Sequence, residues 1–107
     1  MQIEVATPGI SAEAAAAAVQ AAVRHAGANG WRINVAVADR GGNLVAFPRM
    51  PGAFLHSINI AIDKAYTAAS FGFRTRDWMS LVGADEGMKL GFSAQPRLIV
   101  FGGGLPI

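Results

Sequence analysis

The chain contains no cysteine, which excludes disulfides, thiolate metal sites and thiol nucleophiles. Charge is scarce: Asp, Glu, Lys and Arg make up 15% of the residues, against 52% hydrophobic. That balance excludes a disordered, solvating chain. A surface so short of charge belongs more often to an oligomer than to a free monomer, so a homo-oligomer is expected. Basic runs are missing as well. Nine Lys and Arg oppose seven Asp and Glu, a net charge of +2, without the cluster or stripe that marks a nucleic-acid footprint. Long apolar runs are broken by Arg24, Asp39, Asp63 and Lys64, so no membrane partner is expected. The start, Met1-Gln2-Ile3-Glu4, lacks the basic-then-apolar order of a signal peptide, which makes the cytoplasm the expected compartment. His25 and His56 stand apart, without His-x-x-x-His spacing or a carboxylate-rich loop, so no metal site is expected.

What is present suits a single domain over 1–107, large enough for one core to bury roughly two thirds of the unfolded surface. Thr7-Pro8-Gly9 breaks the chain, and Ser11 is placed to cap a helix from Ala12 to about His25. Ala15, Val19, Ala22, Val23 and Ala26 form its apolar stripe, and Gly27 with Asn29-Gly30 supplies stop signals. Trp31 to Ala38 alternates in the manner of a strand, Asp39-Arg40-Gly41-Gly42-Asn43 turns, and Leu44 to Phe47 returns, which reads as a β-hairpin. Pro48 and Pro51 end it.

A long helix is expected from about Phe54 to Ser70, stopped by Gly72. At 100° per residue its apolar side gathers Leu55, Ile58, Ala61, Ile62, Ala65, Ala68 and Ala69. His56, Asn59, Asp63, Tyr66, Thr67 and Ser70 share an opposite arc, while Ser57 and Lys64 flank the apolar side nearly eclipsed. A short helix around Trp78 to Val82, with Thr75 as its cap, a weak turn at Glu86 to Leu90, and a third strand from Arg97 to Phe101 follow. The order α-β-β-α-α-β with an antiparallel hairpin gives the class α+β.

Several segments, taken in order and spacing, resemble the GlcG/HbpS family, which includes the C-terminal domain of PduO-type proteins. They are Val37-Ala38-Asp39-Arg40-Gly41-Gly42-Asn43-Leu44-Val45-Ala46, Arg49-Met50 with Gly52-Ala53, Ser57-Ile58 with Ala61, Asp63-Lys64-Ala65-Tyr66-Thr67-Ala68, and Gly102-Gly103-Gly104 with Pro106. The resemblance implies a profilin-like antiparallel sheet flanked by helices, assembly into dimers or larger rings, and small-molecule or haem binding, since HbpS-type members bind haem. GlcG-type members sit among catabolic genes without a well-assigned reaction. It also implies a further strand and a closing helix after the glycine turn, which this sequence, ending at Ile107, does not include.

The chemistry read from the residues stays open at several positions. The arc on the long helix carries short or aromatic groups suited to directed hydrogen bonds, and His56 changes charge near neutral pH. It is either a ligand pocket or a solvated or subunit face. Lys64 either meets an anion, with a lowered pKa if desolvated, or pairs with Asp39 or Asp63. Asp39 serves the turn or a ligand, and Arg49 clamps an anion or a neighbouring carboxylate. A Ser57 or Thr67 triad with His56 and Asp63 is disfavoured, because that histidine and carboxylate sit two turns apart, about 10 Å along the axis. The candidate ligand set is therefore Asp39, Arg49, His56, Asp63, Lys64 and Thr67, with no catalytic residue assigned. The expected partner is a small anionic ligand or, by resemblance alone, haem. The alternatives are an acid–base enzyme acting on a small oxo or hydroxy acid and an accessory protein with no small-molecule site.

Overall fold

The computed structural model describes residues 1–107. Helix α1 (Ala12–Ala28) begins where Ser11 Oγ accepts from the Ala14 N–H and ends where Asn29 closes onto the last carbonyls. Ala15, Val19 and Ala26 on its stripe are buried. The hairpin consists of β1 (Val37–Ala38) and β2 (Leu44–Ala46), antiparallel, with Val37 opposite Ala46 and a register irregularity after Val37. The isolated bridge Asn34–Arg49 extends the pairing, so regular ladder bonding occupies only part of the expected Trp31–Ala38 strand. Ala15, Val19 and Val37 form the core, with Ile10, Ala18, Val35, Val45 and Ala46 against it. Alanines on α1 allow this close seat, because a methyl side chain lets helix and hairpin backbones approach.

Helix α2 (Ser57–Phe71) starts three residues later than the sequence suggests and ends at left-handed Gly72. The Phe54–His56 stretch turns rather than coils regularly, leaving Phe54 and Leu55 exposed. A 3-10 turn (Thr75–Asp77), α3 (Trp78–Leu81) and α4 (Glu86–Ser93) follow. Asp85 caps α4 by accepting from the Met88 N–H. Around them Phe71, Phe73, Trp78 and Phe92 make edge-on and tilted ring contacts with centroids 5.4–6.2 Å apart, a second apolar centre built on Trp78, which is buried.

The weak turn expected at Glu86 to Leu90 is the full helix α4, running on to Ser93 behind its Asp85 cap, and two further expectations change. Thr75 caps no helix; its hydroxyl is spent on Gly104, from whose N–H it accepts at 2.9 Å. Arg97–Phe101 is not a strand, because no neighbouring strand pairs with it. Its backbone is held by one α2 side chain: Thr67 Oγ1 donates to the Arg97 carbonyl at 3.0 Å and accepts from the Ile99 N–H at 3.1 Å. The left-handed φ of 68° at Arg97 also breaks the extended run. The architecture remains α+β, an antiparallel hairpin flanked by helices. It is a slab of 44 × 39 × 19 Å, so thin that only 11 of 107 residues are buried and one face of α2 is left lining a groove.

Candidate ligand groove

That groove encloses roughly 1240 Å³ between the 32–40 segment, α2 and the 103–107 segment. Its apolar wall comes from Ile60, Ala61, Ala65, Ala68 and Ala69 of α2 together with Ile33, Val35 and Val37. The polar groups are few: Arg32, Asn34, Asp39, Arg40, Ser57 and Lys64. A mostly apolar cleft with a handful of convergent polar groups is the usual form of a small-molecule site.

Lys64 makes none of the ion pairs in the structure, whereas the other lysine, Lys89, reaches Glu86 at 3.2 Å. The Lys64 ammonium lies 4.7 Å from the centre of the Phe101 ring, a cation–π contact. Burial pushes its pKa below the ordinary lysine value. Gly103 passes so close that a β-carbon there would stand 2.6 Å from Nζ, and its φ of 125° is one that side-chain-bearing residues rarely adopt. Gly104 is fixed beside it. The Thr75 N–H donates to the Gly104 carbonyl at 2.9 Å, the hydroxyl bonds the same peptide units, and a β-carbon on Gly104 would meet the Lys64 carbonyl at 2.8 Å. The glycine run is therefore a backbone surface laid directly over Lys64.

Asp39 lines the same groove, but its carboxylate is committed to the turn. Oδ1 accepts from the Asn43 backbone N–H at 2.9 Å, and both oxygens accept from the Asn43 amide. Those bonds, led by the backbone one, hold its pKa below the usual carboxylate value. Asn34 donates to Ser57 Oγ at 2.6 Å, and its own carbonyl oxygen is buried without a donor.

The other candidates lie elsewhere. Asp63 pairs with Arg97 at 2.9 Å, whose guanidinium stacks 3.7 Å from the centre of the Tyr66 ring, while Thr67 holds the 97–99 backbone. Much of the polar arc thus fastens a segment of the chain's own backbone. His56 is exposed ahead of α2 without capping it. Arg49 donates to the Ala53 carbonyl at 3.1 Å and closes its own loop. The structure brings Lys64 and Asp39 to one groove and leaves Arg49, His56, Asp63 and Thr67 outside its lining. Arg32 and Arg40 were missed as groove cations; the near-eclipsed Ser57–Lys64 pair beside the apolar stripe was the signal for this face, and both residues line it.

The family model described as "Haem degrading protein HbpS-like" matches residues 10–107. The chain belongs to the HbpS-like family. The HbpS-like chain is 32% identical over 98 residues to Protein GlcG of Escherichia coli K12, covering 92% of this chain and 71% of that protein. It is 38% identical over 72 residues to an uncharacterized 15.0 kDa protein of the dhaT-dhaS intergenic region of Citrobacter freundii, covering 66% of this chain and about half (51%) of that protein. Among solved structures it resembles Klebsiella pneumoniae protein ORFY, with a TM-score of 0.88 and 32% identity, covering all (100%) of this chain and 74% of that one. It likewise resembles HbpS, with a TM-score of 0.86 and 30% identity over 98% of this chain and 72% of that one.

The family name makes haem the group to test against these residues. Arg32, Arg40 and Lys64 suit propionates, and the α2 wall suits a porphyrin face. The iron is another matter: no His, Met or Tyr lines the groove and the chain has no Cys, so the groove supplies none of the usual axial ligands. His25 instead packs its ring edge-on against Trp31, 5.8 Å away, and His56 is exposed. The groove fits the rim of haem and not its metal.

Proposed function

We propose that this HbpS-like chain binds a small organic anion in the groove beneath the glycine run. The observation that carries the reading is the lone ammonium of Lys64, half-buried and without a carboxylate partner. A desolvated charge with no counter-ion is costly and is relieved by an incoming anion. Arg32 and Arg40 add positive potential at the same cleft, the apolar wall takes the carbon skeleton, and Asn34 offers an acceptor to a ligand hydroxyl. Asp39 contributes by holding the turn that shapes one end. Localisation in the cytoplasm belongs to the same reading; no helix is long and apolar enough to cross a membrane.

Self-association is part of the proposal. Val35 and Ile33 turn their backbone groups toward the returning strand, bonding Pro48 and Met50, so those of Asn34 and Ala36 face the opposite edge and make no backbone hydrogen bond. Such an edge tends to be covered or paired.

Haem is the second reading, favoured by the family description and by the three groove cations. Native mass spectrometry of the protein with haemin, and separately with a panel of small carboxylates, tests both. A saturable carboxylate adduct that weakens in Lys64→Ala and persists in His56→Ala supports the anion site. A haemin adduct at a fixed ratio, with no carboxylate bound, replaces it with the haem reading. Absence of any saturable adduct leaves the accessory-protein alternative.

A further inference from the structure

Building on the anion-site reading, we infer that Lys64 is a covalent site whose amine condenses with the carbonyl of a small oxo-acid to form an imine. The two lysines make the contrast within one chain. Lys89 is tied to Glu86 at 3.2 Å on α4, whereas Lys64 lines a groove, has no acid partner and lies against the Phe101 ring. An amine attacks only through its unprotonated lone pair, and removal from water favours that form, against the pull of the Phe101 ring on the cation. Burial does lower the Lys64 pKa. Space matters equally: with a β-carbon at Gly103 placed 2.6 Å from Nζ, only glycine at that position leaves the nitrogen room where it stands in the groove.

The substrate class follows from the neighbours. Arg32 and Arg40 line the same groove and suit a carboxylate, the alanine-rich α2 wall suits a short carbon chain, and the carbonyl carbon is left for Nζ. The Nζ lone pair adds to that carbon, and the carbonyl oxygen takes up a proton to give a carbinolamine. The C–O bond then breaks, the oxygen departs as water with the protons from nitrogen, and the C=N bond remains. Nothing is oxidised or reduced, and water reverses the step.

The test is trapping. The full chain is incubated at neutral pH with pyruvate and sodium borohydride, which reduces the imine to a stable secondary amine, and digested peptides are weighed. The expected result is one 1-carboxyethyl group on the Lys64 peptide, in clear excess over the Lys89 peptide. Lys64→Arg, which keeps the cation and removes the nucleophile, is expected to abolish that mass while leaving the Lys89 background. Acetaldehyde, a carbonyl without a carboxylate, separates the two readings. Equal trapping of both at Lys64 keeps the imine and removes the anion site. Saturable pyruvate binding with Lys64 trapped no better than Lys89 keeps the anion site and overturns the imine. Wild-type protein alone decides between them, so a variant that fails to fold leaves the outcome intact.

Discussion

Lys64 and Gly103 occupy each other's space so closely that a single methyl group on the glycine would stand 2.6 Å from the lysine nitrogen. The contact joins the middle of α2 to the glycine run and determines how the ammonium is exposed. Gly103→Ala is expected to displace the Lys64 side chain and strain a φ of 125°, at a cost of about 1–3 kcal/mol. Chemical denaturation measures the stability, and carboxylate titration of the same variant measures the ligand site, where affinity is expected to fall.

Thr67 carries the attachment of the 97–99 backbone through both a donated and an accepted hydrogen bond. Thr67→Val keeps the shape and removes both, for an expected loss of about 1 kcal/mol. Limited proteolysis is expected to cut between Arg97 and Phe101 faster in the variant, while α1 and the hairpin resist as before. Unchanged cleavage would show that the segment is held by something other than this hydroxyl.

Thr75 plays the same part for Gly104 in a buried setting. Thr75→Val leaves a buried peptide N–H without its acceptor, a larger penalty of about 1–3 kcal/mol. Equilibrium denaturation of Thr67→Val and Thr75→Val together is expected to give nearly the sum of the two losses, since the hydroxyls pin different peptide groups.

Asp63 and Arg97 form a partly exposed ion pair, and such pairs contribute at most about 1 kcal/mol. Asp63→Asn is expected to change stability by no more than that and to leave carboxylate affinity unaltered. Calorimetric titration of Asp63→Asn beside Lys64→Ala separates a residue that fastens the chain from one that meets a ligand.

The lowered pKa of Lys64 sets a direction for pH. Folding disfavours its charged form, so the folded state binds fewer protons than the unfolded state between the lowered pKa and the ordinary value of 10.5. The penalty is complete below that window and relieved as pH rises through it. Lys64→Met carries no such penalty. Melting temperatures of the two proteins are therefore expected to differ most at neutral pH and to converge as pH climbs toward 10.5. A constant difference would exclude burial as the cause.

The sequence by itself determined whatever depends on neighbours along the chain. Ser11 before an alanine-rich run marked α1, because a cap and a 3.6-residue stripe are local properties. Asp39 and Asn43 around two glycines marked the hairpin turn, and Asp39 serves it. The helix wheel also placed Ser57 and Lys64 beside the apolar side of α2, although it pointed to the opposite arc for a ligand, and the groove runs along the apolar side. Only the tertiary structure decided how the remaining polar groups were spent. Asp63 and Thr67 look like ligand residues on a helix wheel, but Arg97 and Ile99, distant in sequence, take up their hydrogen bonds. Thr75 looks like a cap and is used by Gly104. Residues 97–101 have the composition of a strand, yet a strand exists only where a second backbone lies alongside. A hydrogen bond belongs to two partners, and periodicity identifies only one of them.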